Sequence, residues 1–150
     1  MPAPHPTEHA RAIGQDGLAD ALVHAAFATM AVLSKVGAEN DLSLTQLRVL
    51  AILRDRRLRM TALADYLGLE KSTMTGLVDR AERRGLLERA PSASDGRAVD
   101  VFLSPEGADL AGRLYAHVGR SLAPMTSELA PAEQRRLQTL LERMLGPHES

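Results

Sequence analysis

Met60–Leu77 reads MTALADYLGLEKSTMTGL, the stretch on which the fold turns. Leu63, Leu67, Leu69, Met74 and Leu77 are spaced as the apolar faces of two short helices joined by a tight turn. Ala64 is small where those helices would cross. Gly68 stands where the turn needs φ > 0, which glycine adopts at no steric cost. The pattern predicts a helix-turn-helix, a unit that points the first turn of its second helix outward, free to enter a DNA major groove. That turn carries Lys71, Ser72, Thr73 and Thr75, which are basic or polar and mostly short.

Upstream, Ser43 and Gln46 have capping-box spacing, and Leu44, Leu47, Leu50 and Leu53 line one face of the helix they open. Arg54, Arg56, Arg57 and Arg59 form a basic connector, and Thr61 is placed to cap the next helix. Downstream, the second helix of the pair is expected to run to about Arg84, with Gly85 as its C′ residue. Leu86 to Ala90 and Ala98 to Leu103 look like strands. Pro91-Ser-Ala-Ser-Asp-Gly96 between them is turn chemistry, so a hairpin wing follows the helix pair. Ser104 as N-cap and Pro105 at N1 start a long helix striped by Ala108, Ala111, Leu114, Tyr115, Val118, Leu122 and Met125. Pro131 starts the last helix, with Leu137, Leu140, Leu141 and Met144 on one face.

From Gly17 to Val36 the chain is apolar almost throughout, interrupted by Asp20, His24, Thr29, Ser34 and Lys35, and Gly37 is expected to close it. A helix apolar around most of its girth is buried on more than one side, and in a chain of 150 residues a second subunit is the expected cover. Residues 1 to 15 carry three Pro, two His and one of the glycines without periodicity, and read as a mobile arm. Within them His5-Pro-Thr-Glu-His9 matches a zinc-protease motif literally. That chemistry needs both His on one face of a rigid helix inside a domain, and a proline-rich chain end is the wrong setting.

Composition narrows the functional classes. Apolar residues make up 45%, charged residues 25% and aromatics 3%, so the core must come from Leu, Ala, Val and Met, a helix-forming set. There is no Cys, hence no thiolate metal site, disulfide or thiol sensor, which fits a reducing compartment. No apolar run reads as a membrane span and no charged-then-apolar leader precedes the domain, so a cytoplasmic location is expected. The net charge of −1 conceals a division: residues 48–97 hold eleven Lys/Arg against seven Asp/Glu, net +4, and the remainder hold seven against twelve, net −5. Local charge governs attraction to phosphate, and here it accompanies the helix-turn-helix. The chain contains no nucleophile elbow, phosphate-binding Gly loop or paired-carboxylate cleft, and Ser104 belongs to a helix cap, so no enzyme, cofactor or metal is expected. His24 and His117 form no close pair on a helix that would hold zinc.

Taken together, the element order and motifs resemble the MarR family of winged-helix transcriptional regulators over about Asp16 to Leu145. The resemblance is carried by Leu42-Ser-Leu-Thr-Gln-Leu-Arg-Val-Leu50, Thr61-Ala-Leu-Ala-Asp-Tyr-Leu-Gly68, and Lys71-Ser-Thr-Met-Thr-Gly-Leu-Val-Asp-Arg80 leading into Arg84-Gly-Leu-Leu-Glu-Arg89. Asp95-Gly-Arg97 and Val101-Phe-Leu-Ser-Pro-Glu-Gly107 complete it. It implies a mainly α fold with a small β-hairpin wing: a winged helix-turn-helix over 43–103 flanked by dimerisation helices at 16–37 and 105–146, in one domain spanning 16–148. It also implies a homodimeric repressor on an inverted-repeat operator. Ser72, Thr73 and Thr75 would face bases and phosphates, Arg80 a phosphate, and Arg97 the minor groove with Asp95 orienting it. Lys71, Gly76 and Arg83 complete the expected DNA face.

Many family members release DNA when a small aromatic anion binds, and His24, Phe27, Leu47, Leu50 and Tyr115 are the candidates to line such a pocket here. The chain departs from the family pattern at Gly76, where an Arg or another polar residue is common, and at Ser92, which replaces a common wing Asp. Glu70 and Ala130 stand where better caps are usual. Asp79 and Glu82 are expected to temper the charge of Arg80 and Arg83. Two alternatives remain: a winged helix used to bind protein, and a regulator that activates or answers to no ligand. A recognition face of Lys, Ser, Thr and Arg rather than apolar side chains favours DNA over protein.

Overall fold

Ser43 begins the ordered packing of the DNA-binding region with a complete capping box. Its Oγ accepts the Gln46 N–H at 3.1 Å, and the Gln46 side chain accepts the Ser43 N–H at 2.8 Å. The computed structural model describes residues 6–146, with side chains described from Gly17 onward. Among these, the elements run α1 (Pro6–Glu39), α2 (Leu44–Leu53), β1 (Leu58–Arg59), α3 (Met60–Leu67), α4 (Lys71–Arg83), β2 (Leu87–Pro91), β3 (Val99–Leu103), α5 (Pro105–Thr126) and α6 (Pro131–Leu145).

The helix-turn-helix forms as its spacing predicts. Leu63 and Met74 are fully buried, and Ala64 and Leu77 nearly so. Gly68 takes φ 63° at the end of α3, and the Leu69 N–H returns to the Ala64 carbonyl at 3.0 Å. Gly85 takes φ 75° after α4, and the Leu86 N–H returns to the Ala81 carbonyl at 3.0 Å. Thr61 does not cap α3. Arg59 holds the N-cap position without a side-chain bond, because strand β1 runs straight into the helix at Met60.

The wing is a three-stranded antiparallel sheet in the order β1-β3-β2, rather than a hairpin alone. Leu58 pairs with Val101 in one ladder, and Leu87 with Leu103 in the other. The basic connector therefore supplies an edge strand. Two residues are too few to show alternation in sequence, and their partner lies far along the chain. Ser104 locks the sheet to α5. Its Oγ caps the Gly107 N–H at 2.9 Å and donates to the Gly85 carbonyl, while its own N–H reaches the Leu86 carbonyl at 3.1 Å. The approach is so close that a Cβ on Gly107 would overlap the Leu86 carbonyl oxygen.

Helix α1 departs from expectation at both ends. It begins at Pro6, so most of the segment read as a mobile arm is helical. Pro suits a first helical turn, and the helix propensity of Ala10, Arg11 and Ala12 outweighs that of Gly14 and Gly17. The side chains of the His5–His9 motif lie outside the described residues. At its other end α1 continues past Gly37 to Glu39 and closes with Asp41 at φ 55°. The Leu42 N–H bonds to the Gly37 carbonyl at 2.8 Å, and the Asp41 N–H to Ala38 at 3.2 Å, a Schellman arrangement. Gly37 is needed for proximity instead: a Cβ there would stand 2.7 Å from the Leu42 carbonyl oxygen.

The core gathers Val36, Val49, Leu53, Leu63, Met74, Val78, Leu87 and Val101, joining α1, α2, the helix pair and the sheet. Two elements leave apolar surface outside it. On α1, Leu18, Val23 and Phe27 are 65%, 53% and 64% exposed, and α6 buries none of its residues within the chain. Contrary to the sequence reading, Gly17–Glu39 is long and apolar enough to cross a membrane, with a mean hydropathy of 1.5. Its C-terminal part nevertheless packs into the folded core through Val36 and Gly37.

Candidate nucleic-acid interface

Helix α4 buries Met74, Leu77, Val78 and Ala81, which fixes the opposite face outward. Lys71, Ser72, Thr73, Arg80 and Arg83 lie on exposed positions, and Thr75 and Gly76 are half-buried. The Thr75 hydroxyl donates to the Lys71 carbonyl at 2.9 Å, leaving its lone pairs free. Glu70 stands at the N-cap without a side-chain bond, so the first-turn N–H groups are not capped by a side chain.

Arg89, which the sequence did not single out, organises the charge of this face. From β2 its Nη2 reaches Asp79 at 2.6 Å and its Nε reaches Glu82 at 2.7 Å. Bonding to Glu82, and then to Asp79, raises the Arg89 pKa above its ordinary value. Asp79 and Glu82 are thus engaged by the sheet, with Arg89 rather than Arg80 or Arg83 as their ion-pair partner. Pairing across the Gly85 turn joins residues too far apart in sequence for helical spacing to reveal.

Other cations of the basic segment are also occupied. Arg84 donates to the Asn40 and Asp41 carbonyls at 3.2 and 2.7 Å. Arg54 covers the Tyr115 ring at 3.9 Å, Arg57 covers Phe102 at 3.9 Å, and Arg56 meets the Tyr66 hydroxyl at 3.4 Å. Arg83 turns its Nε toward the Asp79 carbonyl at 3.4 Å. Among the described residues, the side chains of Lys71, Arg80 and Arg97 make no hydrogen bond or ion pair. The uncommitted positive charge of the segment therefore lies on α4 and the wing tip.

The wing tip is a turn closed by the Ala98 N–H on the Asp95 carbonyl at 3.0 Å, with Ser92 N–H to Ala98 carbonyl at 2.9 Å below it. Asp95 Oδ1 accepts the Arg97 backbone N–H at 3.1 Å. Asp95 thus orients the Arg97 backbone, and the guanidinium stays exposed. At the departure Ser92, a chain of small groups replaces an acid: buried Ser92 meets Ser94 at 3.1 Å, and Ser94 accepts from Arg59 Nη2 at 2.8 Å. Arg59 fixes the loop from the edge strand, a role that only the register of β1 discloses.

The five candidate effector residues are not brought into one cavity. Leu47 and Leu50 belong to the core, whereas Phe27 and Tyr115 are about two-thirds exposed, at 64% and 67%, and His24 is exposed. A cleft of about 290 Å³ between α1 and α5 is lined by Lys35, Glu39, His117 and Ser121, with none of the five. His117 meets Glu39 there at 3.6 Å.

A helix pair with a turn glycine, an outward basic helix and an adjoining three-stranded wing define a winged helix-turn-helix protein. The model of the MarR family matches residues 40–98. The chain is 30% identical over 116 residues to the HTH-type transcriptional regulator PecS of Dickeya dadantii, covering 75% of this chain and 70% of that one. It is 30% identical over 107 residues to the multiple antibiotic resistance protein MarR of Salmonella typhimurium, covering 70% and 74%. The crystal structure of apo MarR from E. coli superposes with a TM-score of 0.70 at 25% identity, covering 85% of this chain and 96% of that one. The chain belongs to the MarR family of DNA-binding transcriptional regulators.

Proposed function

We propose that the protein is a cytoplasmic repressor that docks as a homodimer on an inverted-repeat operator in duplex DNA. The observation that carries this is the set of unpaired cations, Lys71, Arg80 and Arg97, presented together with Ser72 and Thr73 while the neighbouring acids are held by Arg89. Hydroxyls on the first turn let the helix backbone come close to base edges and phosphates. Arg97 extends from the wing toward the minor groove, where a narrow groove concentrates negative potential. The exposed apolar faces of α1 and α6 support a second subunit, which would set two recognition helices about 34 Å apart, one DNA turn. That cover also accounts for the apolar length of α1 without a membrane.

The test is a gel-shift titration on the promoter DNA beside the coding gene, at several salt concentrations, combined with sedimentation of the free protein. Dimers that bind with steep salt dependence support the proposal; monomers that ignore every duplex at low salt overturn it. For release of DNA, the reading supported best is an aromatic anion beside Tyr115, where Arg54 supplies a cation against an exposed ring. Leu47 and Leu50 would stiffen the wall behind it and not touch it. Calorimetry with a panel of aromatic acids tests this, and absence of heat from all of them refutes it.

A further inference from the structure

Helix α4 has a gap in its outward stripe. Ser72, Gly76 and Arg80 follow one another at intervals of four residues and so lie along one line of the helix surface. Gly76 puts no side chain there, although glycine in a helix interior costs roughly 1 kcal/mol relative to Ala. The space is used: Arg80 Nη1 lies 3.5 Å from the point where a Cβ on Gly76 would stand. The Arg80 side chain is laid back toward the helix N-terminus, the direction in which helical side chains lean.

We propose that Arg80 reads a base edge across the gap at Gly76, as the specificity-determining residue of the recognition helix. A guanidinium held back by one turn stands about 5.4 Å closer to the N-terminal turn that enters the groove. Its planar fork suits the O6 and N7 acceptors of guanine, which no other base pair presents in that pattern. Two further observations leave it available. Asp79 and Glu82, the acids nearest in sequence, are taken by Arg89 at 2.6 and 2.7 Å. Arg83 instead directs its Nε to a backbone carbonyl of its own helix. Gly76 is therefore the partner of Arg80: it contributes an absence that lets the arginine reach.

This inference rests on the proposed operator binding, and one experiment separates the two. The full-length protein, Arg80→Ala, Gly76→Ala and Gly76→Leu are each used to select from a library of randomised duplex DNA. The parent should enrich a symmetric site with a G·C pair at one position in each half. Arg80→Ala should lose that preference by roughly 5- to 150-fold at that position alone. Gly76→Leu should lose it too, with Arg80 still present, because the gap is filled. Gly76→Ala should keep it, since its Cβ meets the guanidinium at ordinary contact distance. Uniform weakening by Arg80→Ala, with the guanine retained and the salt slope reduced by about one, would make Arg80 a phosphate contact and overturn the inference alone. A parent that enriches no sequence would overturn the operator reading itself.

Discussion

Arg97 and Gly107 act by opposite means, one at the proposed DNA face and the other in the packing behind it. Arg97 acts by reaching out: its backbone is held by Asp95 at 3.1 Å while its guanidinium is free. Arg97→Ala should weaken operator binding by about 1–3 kcal/mol, the size of one specific contact, and leave the melting temperature unchanged. A gel-shift titration in which the variant matches the parent would remove the wing from the interface. Gly107 acts by admitting the backbone of the Leu86 turn, where a Cβ would collide with the carbonyl oxygen. Gly107→Ala should cost about 3 kcal/mol, the upper range for overpacking, and lower the melting temperature by roughly 6–12 °C. Calorimetric unfolding within a degree of the parent would show that the turn yields freely.

At the scale of elements, the Arg89 bridge makes α4 and β2 act as one piece, and its energetic and electrostatic roles can be separated. The three side chains are each about a third or more exposed, so the bridge contributes little to folding, on the order of 0.2–1 kcal/mol per pair. Its removal would leave two carboxylates unpaired beside the DNA face. Arg89→Met should therefore unfold close to the parent but bind DNA more weakly, with the deficit largest at low salt and shrinking as salt screens the exposed acids. Equal deficits at all salt concentrations would refute the electrostatic role. The same bridge marks the limit of sequence legibility. Ser43 with Gln46, Gly68, Gly85 and Ser104 with Pro105 were readable because each acts within about five residues, where spacing states the geometry. Strand β1, the Arg89 bridge, the Arg59–Ser94 contact and the close approach at Gly37 depend on partners brought together by tertiary packing. Thr61 does not cap α3 for the same reason, as the N-cap position belongs to Arg59, which is paired with β3. Leu47 and Leu50 lie in the core rather than at a cavity wall, a difference that periodicity does not express.

For the whole molecule, stability and affinity should be tied through the surfaces that one chain leaves uncovered. Leu140 and Leu141 are 43% and 39% exposed on α6, and Leu18 and Phe27 are 65% and 64% exposed on α1. An apolar surface of this extent, turned away from the core on two helices, is the signature of an interaction site. If it joins two copies, the second recognition helix binds DNA at the high effective concentration created by the first. Loss of pairing then forfeits roughly 10²- to 10⁴-fold in affinity without touching any DNA contact. Leu141→Glu places a charge in that surface while lying outside the chain's own core, so the winged helix should fold normally. The expected outcome is a sedimentation shift from two subunits to one, together with that loss on the inverted repeat and an unchanged affinity for an isolated half-site. A variant that remains dimeric, or a monomer that binds the full repeat as tightly as the parent, would show that α6 does not couple the two DNA-reading faces.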